Sequence, residues 1–326
     1  MKKHFLIFLF FLIYAAGMNS AYAKTCDAEL PVNDIRAMVD ILSHPALGGR
    51  GTEQVGFDVA GLILARELRN VGLQPLPGIG GYMQPFSFSD HGQTIRSRNI
   101  IGYAQGMIPD EYIIIGAHYD HEGIKNGKMY PGADDNASGT AGVLAIAQQL
   151  AACVASGRKL NRSVIIGFWG AEEWGLHGSA YFVKSGIVPL DQIVAVLNLD
   201  MIGRNDPQAL SAIGTEYPPE FPQKSPLLEK ILRDENAKLD EPFTIEYSAQ
   251  DMGYFSATDS YSFFEASPSH RRIPILFLTS GAHADYHRPT DTADKIDVEK
   301  LQNVARLMYR VAMRVITSPV WPVYLP

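Results

Sequence analysis

The sequence predicts an α/β fold, with a mixed, mainly parallel central sheet covered by helices on both faces. Three observations predict it. Apolar residues recur at helical turn spacing over residues 33–43, 52–71, 139–155 and 297–316. Short apolar runs lie between them at 99–104, 112–116, 163–168, 193–199 and 273–278, with the length and composition of strands. Strands and helices therefore alternate, and that order implies a sheet that is at least partly parallel and buried on both sides. Most of these runs also lead straight into a cluster of polar residues.

The elements follow in that order along the chain. The first 23 residues read as a secretory leader: Lys2, Lys3 and His4, an apolar run from Phe5 to Ala16, then Ala21-Tyr22-Ala23 as a cleavage site. The apolar run is short beside the roughly 20 residues that cross a bilayer, although an uncleaved anchor is the alternative reading. Residues 24–326 carry no internal repeat and no low-complexity tract, and no sharp boundary divides them, so one domain is expected. The proline-rich stretch Glu216-Tyr-Pro-Pro-Glu-Phe-Pro222 reads as a surface loop.

The formal charge is −7, and removal of the leader's two lysines makes the chain more acidic. With no basic run, nucleic-acid binding is not expected. After leader cleavage no stable membrane anchor is expected either, which places the chain in the periplasm or outside the cell. The two cysteines, Cys26 and Cys153, lack a metal-binding pattern. In an oxidising compartment they either pair or remain separate thiols, and sequence leaves both readings open.

The polar clusters carry the chemistry. The run at 112–116 leads to His118 and Asp120, that at 163–168 to Glu172 and Glu173, that at 193–199 to Asp200, and that at 273–278 to His283, Asp285 and His287. In open α/β sheets ligands bind beyond the carboxyl ends of the strands, so these clusters are expected to converge. Two histidines and three carboxylates (His118, Asp134, Glu173, Asp200 and His287) exceed the needs of one four-coordinate zinc with an open position. They suit two zinc ions sharing a carboxylate, an arrangement that clamps both oxygens of a hydrolytic reaction. Taken singly, each residue has a plain structural reading: a lone histidine is more often a surface or satisfied core group, and an acidic pair is usually solvated. The Glu172-Glu173 pair differs because it lies within Phe168-Trp-Gly-Ala-Glu-Glu-Trp-Gly, an apolar, glycine-rich setting. Burying adjacent carboxylates is costly without a cation.

Five segments in order carry a resemblance. They are Gly116-Ala-His-Tyr-Asp-His121, Pro131-Gly-Ala-Asp-Asp-Asn-Ala-Ser-Gly139, Phe168-Trp-Gly-Ala-Glu-Glu-Trp-Gly-Leu-His-Gly-Ser179, Asn198-Leu-Asp-Met-Ile-Gly203 and Asp285-Tyr-His-Arg-Pro-Thr-Asp-Thr292. Gly48-Gly-Arg-Gly-Thr-Glu53 precedes them. Together they resemble the co-catalytic dizinc exopeptidases, the family of secreted bacterial leucyl aminopeptidases and glutamate carboxypeptidases. The resemblance covers nearly all of the chain after the leader and implies a three-layer, phosphorylase/hydrolase-like sandwich.

It implies site residues as well. His118 and His287 would each hold one zinc, Asp134 would bridge, Glu173 and Asp200 would complete the two sites, and Glu172 would be the general base. Asp120 would orient the His118 ring. Asp135 would stand just outside the ligand set, although it is also an alternative bridge, and a helix-dipole role is its structural reading. A cis peptide after the bridging residue would fall at Asp134-Asp135. Tyr286 would donate to the oxyanion, with packing as the plain alternative. No role carries over to His121, His177 or His283, and Asp259 matches a segment near the substrate pocket without an assigned role.

The expected reaction is removal of N-terminal residues from peptides with a free N-terminus, with two Zn²⁺ per chain. The alternatives are a glutaminyl cyclase-like single-zinc acyltransferase, a carboxypeptidase of the same fold, and a non-catalytic binding module. The last would need a lost ligand or base, and none is lost.

Overall fold

The computed structural model describes residues 26, 30–215, 225–246, 254–268 and 271–325. The leader at 1–23 and the proline-rich loop at 216–222 lie outside the described residues. In chain order the strands are β1 (Met83–Asp90), β2 (Gln93–Ala104), β3 (Ile108–His118), β4 (Gly123–Lys125), β5 (Lys128–Tyr130), β6 (Arg162–Trp169), β7 (Ile193–Leu199), β8 (Ala209–Ile213), β9 (Thr244–Glu246) and β10 (Ile275–Thr279). The described helices are α1 (Val32–Leu42), α2 (Val55–Asn70), α3 (Gly139–Ala155), α4 (His177–Ser185), α5 (Pro226–Asn236), α6 (Ser260–Glu265) and α7 (Val298–Thr317).

Eight strands form one sheet in the order β1-β2-β6-β3-β7-β10-β8-β9, and β4 and β5 form a separate hairpin. The central four, β6, β3, β7 and β10, are mutually parallel. The β1-β2, β2-β6 and β10-β8 pairings are antiparallel, which makes the sheet mixed. β3 leads through α3 to β6 on one side, and β6 leads through α4 to β7 on the other. Such a reversal opens a crevice beyond the strand ends.

The central strands are buried on both faces because their residues alternate between two cores. Ile113, Ile115, Val164, Ile166, Leu276 and Leu278 pack on the face covered by α1, α2, α3, α5 and α7. Ile114, Ile165, Val196, Ile275 and Phe277 face Phe182 of α4 and Phe263 of α6. Full burial of such a side chain contributes about 1.5–3 kcal/mol, so continuous apolar runs are what this position in a sheet requires. Helix α3 is apolar around most of its circumference. Residues 133–155 are long and apolar enough to cross a membrane, but 83% of the most apolar window is buried inside the protein, which makes it a core helix.

Four sequence-predicted helices and five strands occur within a few residues of their expected bounds. The strand expected at 99–104 is longer, starting at Gln93, and β1, β4, β5, β8 and β9 were not expected. β1 reads Met-Gln-Pro-Phe-Ser-Phe-Ser-Asp, an edge strand with polar residues on one face, so no apolar run marks it. Cys26 and Cys153 form a disulfide that ties the start of the described chain to α3 across 127 residues.

Candidate active site

Each strand end delivers one part of the site. His118 is the last residue of β3, beside Trp169 of β6. Glu172 and Glu173 follow β6, Asp200 follows β7, and His287 lies on the loop after β10. Asp134 and Asp135 precede α3. The structure brings His118, Asp135, Glu172, Glu173, Asp200 and His287 together at the carboxyl end of the sheet.

Asp135 is the centre of this cluster. His118 Nε2 lies 3.2 Å from Asp135 Oδ1, and His287 Nε2 lies 3.1 Å from Asp135 Oδ2. Each imidazole nitrogen also meets a second carboxylate, Asp200 Oδ1 at 3.3 Å from His118 and Glu173 Oε2 at 3.1 Å from His287. Two donor sets therefore share one carboxylate.

That geometry corrects the expectation for Asp134. Its Oδ1 accepts the Gly203 amide at 2.7 Å, and its Oδ2 lies 3.2 Å from His283 Nε2. The cause is local. The chain leaves Gly132 in a left-handed conformation (φ 58°), and a Cβ at Gly132 would lie 2.2 Å from the Asp135 carbonyl oxygen. The amides of Asp134 and Asp135 then both donate to Asp291, at 3.0–3.1 Å, and the two side chains diverge. Asp135, expected outside the ligand set, thus stands between His118 and His287 where Asp134 was expected. The cis peptide likewise lies at Asp135-Asn136 and not at Asp134-Asp135.

Asp120 acts somewhat differently from expectation. Its main-chain carbonyl lies 3.2 Å from His118 Nδ1, with a carboxylate oxygen at 3.8 Å. The carboxylate mainly accepts the amides of Glu172 (3.1 Å) and Glu173 (3.4 Å), and so fixes the loop that carries the acidic pair.

The electrostatics show a demand for positive charge. Burial alone would push the His118 imidazole down, but Glu172, Asp200 and Asp135 outweigh it and hold it well above its usual value. Glu173 also resists burial: with His121 and His287 beside it, its carboxyl falls to about 2. Glu172 behaves oppositely. Burial, reinforced by Glu173, Asp259 and Asp200, pushes its carboxyl well above the ordinary range. Asp259 is buried nearby, and burial pushes it to about 7.

Sequence reasoning assigned nothing to three residues that matter here. His121 Nδ1 donates to Glu173 Oε1 at 2.6 Å, which fixes that carboxylate. Arg50, fully buried, donates to the carbonyls of Tyr119, Leu42, Pro131 and Gly132 at 2.7–2.9 Å, clamping the loops that follow β3 and precede α3. Asp291 collects the amides beneath Asp135. Arg50 and Asp291 both lie inside the matching segments, but nothing in their spacing marks them as site residues. His177 stacks on Phe88, with ring centroids 3.7 Å apart, and touches none of the cluster in the described contacts.

The cluster opens into a cleft. His118, Asp135, Glu172, Asp200 and His287 line it, together with Met201, Tyr254, Ala257 and Phe277. Tyr286 lines it too, with its ring stacked on His287 at 3.9 Å between centroids.

Known proteins share both sequence and fold with this chain. Over 248 residues it is 29% identical to the probable lipoprotein aminopeptidase LpqL of Mycobacterium tuberculosis, covering 68% of this chain but 46% of that protein, less than half its length. Its fold matches BSAP, a zinc aminopeptidase from Bacillus subtilis, with a TM-score of 0.68 at 16% identity over 91% of this chain and 99% of that one. It also matches Porphyromonas gingivalis glutaminyl cyclase, with a TM-score of 0.66 at 19% identity over 87% of this chain and 99% of that one. The fold alone therefore does not choose a reaction. Residues 99–312, about two thirds of the sequence and all of the clustered side chains, match Peptidase family M28, and the chain belongs to that family.

Proposed function

We propose that this chain is an aminopeptidase that uses two zinc ions to remove N-terminal residues from peptides. The observation that carries the reading is the placement of His118 Nε2 and His287 Nε2 against the two oxygens of one carboxylate, Asp135. The side chains fit the ions. Ligand atoms of His118, Asp135 and Asp200 lie within 4.8 Å of one another, and so do those of His121, Asp135 and Glu173, with His287 Nε2 beside the latter two carboxylates. Asp200 Oδ1 is buried and its polar neighbour is His118 Nε2 at 3.3 Å, a pairing that suits two ligands of one cation. Imidazole and carboxylate donors in this number suit zinc.

One ion would be held by His118, Asp200 and Asp135, the other by His287, Glu173 and Asp135. Bound there, zinc supplies Lewis acidity and makes water a competent nucleophile near neutral pH. Glu172 lies outside both sets but faces the cleft, with Oε2 4.0 Å from His118 Nε2. It takes the attacking water's proton and returns it to the leaving amine. Its raised proton affinity suits that exchange. Tyr286, at the cleft mouth, offers its hydroxyl to the oxygen that gains charge. The Met201, Tyr254, Ala257 and Phe277 lining receives an apolar side chain from the N-terminal residue. Export to the periplasm or beyond is supported by the leader-like start and by the Cys26–Cys153 disulfide.

Matched peptides decide the reaction. An aminopeptidase cleaves Leu-containing peptides with a free α-amine and leaves the N-acetylated forms intact, while C-terminal amidation has little effect. Equal cleavage of acetylated peptides contradicts the assignment. Release of ammonia from N-terminal glutamine without peptide cleavage indicates the cyclase.

A further inference from the structure

The two halves of the site are not anchored alike. His118 ends a central strand and Asp200 follows another, so the sheet ladder sets their positions. His287 lies on a loop outside any strand or helix, with a left-handed backbone (φ 52°). Its side chain is 36% exposed, against 13% or less for His118, Asp135, Glu173 and Asp200. Its position depends on bonds made by the loop itself.

Those bonds converge on the segment just beyond Asp200. Arg204 Nη2 donates to Asp285 Oδ2 at 2.8 Å, and Nη1 lies 3.8 Å from Asp291 Oδ1. Arg204 thus bonds one end of the seven-residue loop 285–291 that presents His287 and places its charge near the other. Next to it, Asn205 Nδ2 donates to the Ser280 carbonyl at 2.8 Å and to those of Gly281 and Ala282 at 3.2 Å. Lys300 Nζ holds the Arg204 carbonyl at 2.6 Å, which fixes the arginine's own backbone. Lys295 supports Asp285 from the other side at 2.8 Å. Asp291 is fully buried and receives the amides beneath Asp135, so the arginine charge beside it also offsets its burial.

We propose that Arg204 is a positioning residue for the His287 half of the site. By bonding Asp285 and placing its charge near Asp291 it fixes His287 relative to Asp135 and Glu173, and so sets the affinity for the ion those three residues hold. The ion at His118 and Asp200 shares only Asp135 with that half, so it is expected to weaken less. This inference rests on the two-zinc reading. The guanidinium fork matters as well as the charge, because one planar group must reach two carboxylates.

Zinc titration of the metal-free protein by calorimetry tests it, with wild type, Arg204→Met, Arg204→Lys and Asp285→Asn compared. Wild type takes up two ions. Arg204→Met binds one ion with little change and the other about 10–100-fold more weakly, the usual effect of disturbing groups behind a metal ligand. Asp285→Asn shows a smaller loss in the same ion, and Arg204→Lys recovers part of it. Zinc-edge anomalous maps of Arg204→Met crystals at limiting zinc keep the peak at His118 and lose the one at His287. With saturating zinc, kcat returns towards wild type. The less affected ion serves as the internal control for folding. If Arg204→Met and Asp285→Asn bind both ions as wild type does, or weaken both equally, the positioning role is overturned while two-zinc binding stands. If wild type itself binds fewer than two ions, the two-zinc reading fails and this inference falls with it.

Discussion

Asp134 and Asp135 are adjacent, yet their carboxylates serve different partners: Asp134 meets the Gly203 amide and the His283 ring, whereas Asp135 lies between His118 and His287. The two aspartates are therefore separable by mutation. Asp135→Asn is expected to bind fewer than two zinc ions and to lose activity. Asp134→Asn keeps an acceptor for Gly203 and is expected to retain both ions. Zinc analysis of the two purified variants checks this.

Glu172 faces the cleft but belongs to neither donor set. Glu172→Gln is expected to retain wild-type zinc content and to lose about 10²–10⁴-fold in kcat, the usual contribution of a positioned base. Steady-state kinetics alongside metal content measure both. Wild-type turnover in that variant removes Glu172 from its role.

The Cys26–Cys153 bond closes a loop of 127 residues that includes α1, α2 and the first five strands. Its loss is expected to cost about 2–4 kcal/mol, mainly by freeing the unfolded chain. Thermal unfolding of a Cys26→Ser/Cys153→Ser variant measures the cost, and the variant's transition is expected to be insensitive to reductant.

Glu67 on α2 gives a pH dependence remote from the zinc ligands. It is 9% exposed, and burial raises its carboxyl above the ordinary value of 4.5, opposed by the Asn70 amide at 3.4 Å. With the folded value raised, protonation favours the folded state. That contribution is complete below the unfolded value and is lost as pH rises through the folded one. Glu67→Gln is therefore expected to raise Tm at pH 7, with the gain vanishing below about pH 4. Paired melts across pH 3.5–8 test the sign.

Much of this site was legible in the sequence for one physical reason. A buried central strand must be apolar, so the polar residues just beyond its carboxyl end stand out, and His118, Glu172, Glu173, Asp200 and His287 all lie in such places. The choice between Asp134 and Asp135 was not legible. Both belong to the same motif, and the direction of each side chain is set by amides pointing to Asp291, 156 or more residues away. Arg50 and Arg204 were hidden for a related reason. Their partners are carbonyls and carboxylates on distant segments, and neither residue sits in a spacing that marks it. β1 escaped notice because an edge strand with one polar face shows no continuous apolar run.

The central claim concerns where the positive charge goes. Crystals of the purified protein, with data collected on both sides of the zinc absorption edge, test it directly. Two anomalous peaks are predicted, on either side of the Asp135 carboxylate, one beside His118 and Asp200 and the other beside His287 and Glu173. A single peak, or any peak coordinated by Asp134 in place of Asp135, contradicts the account.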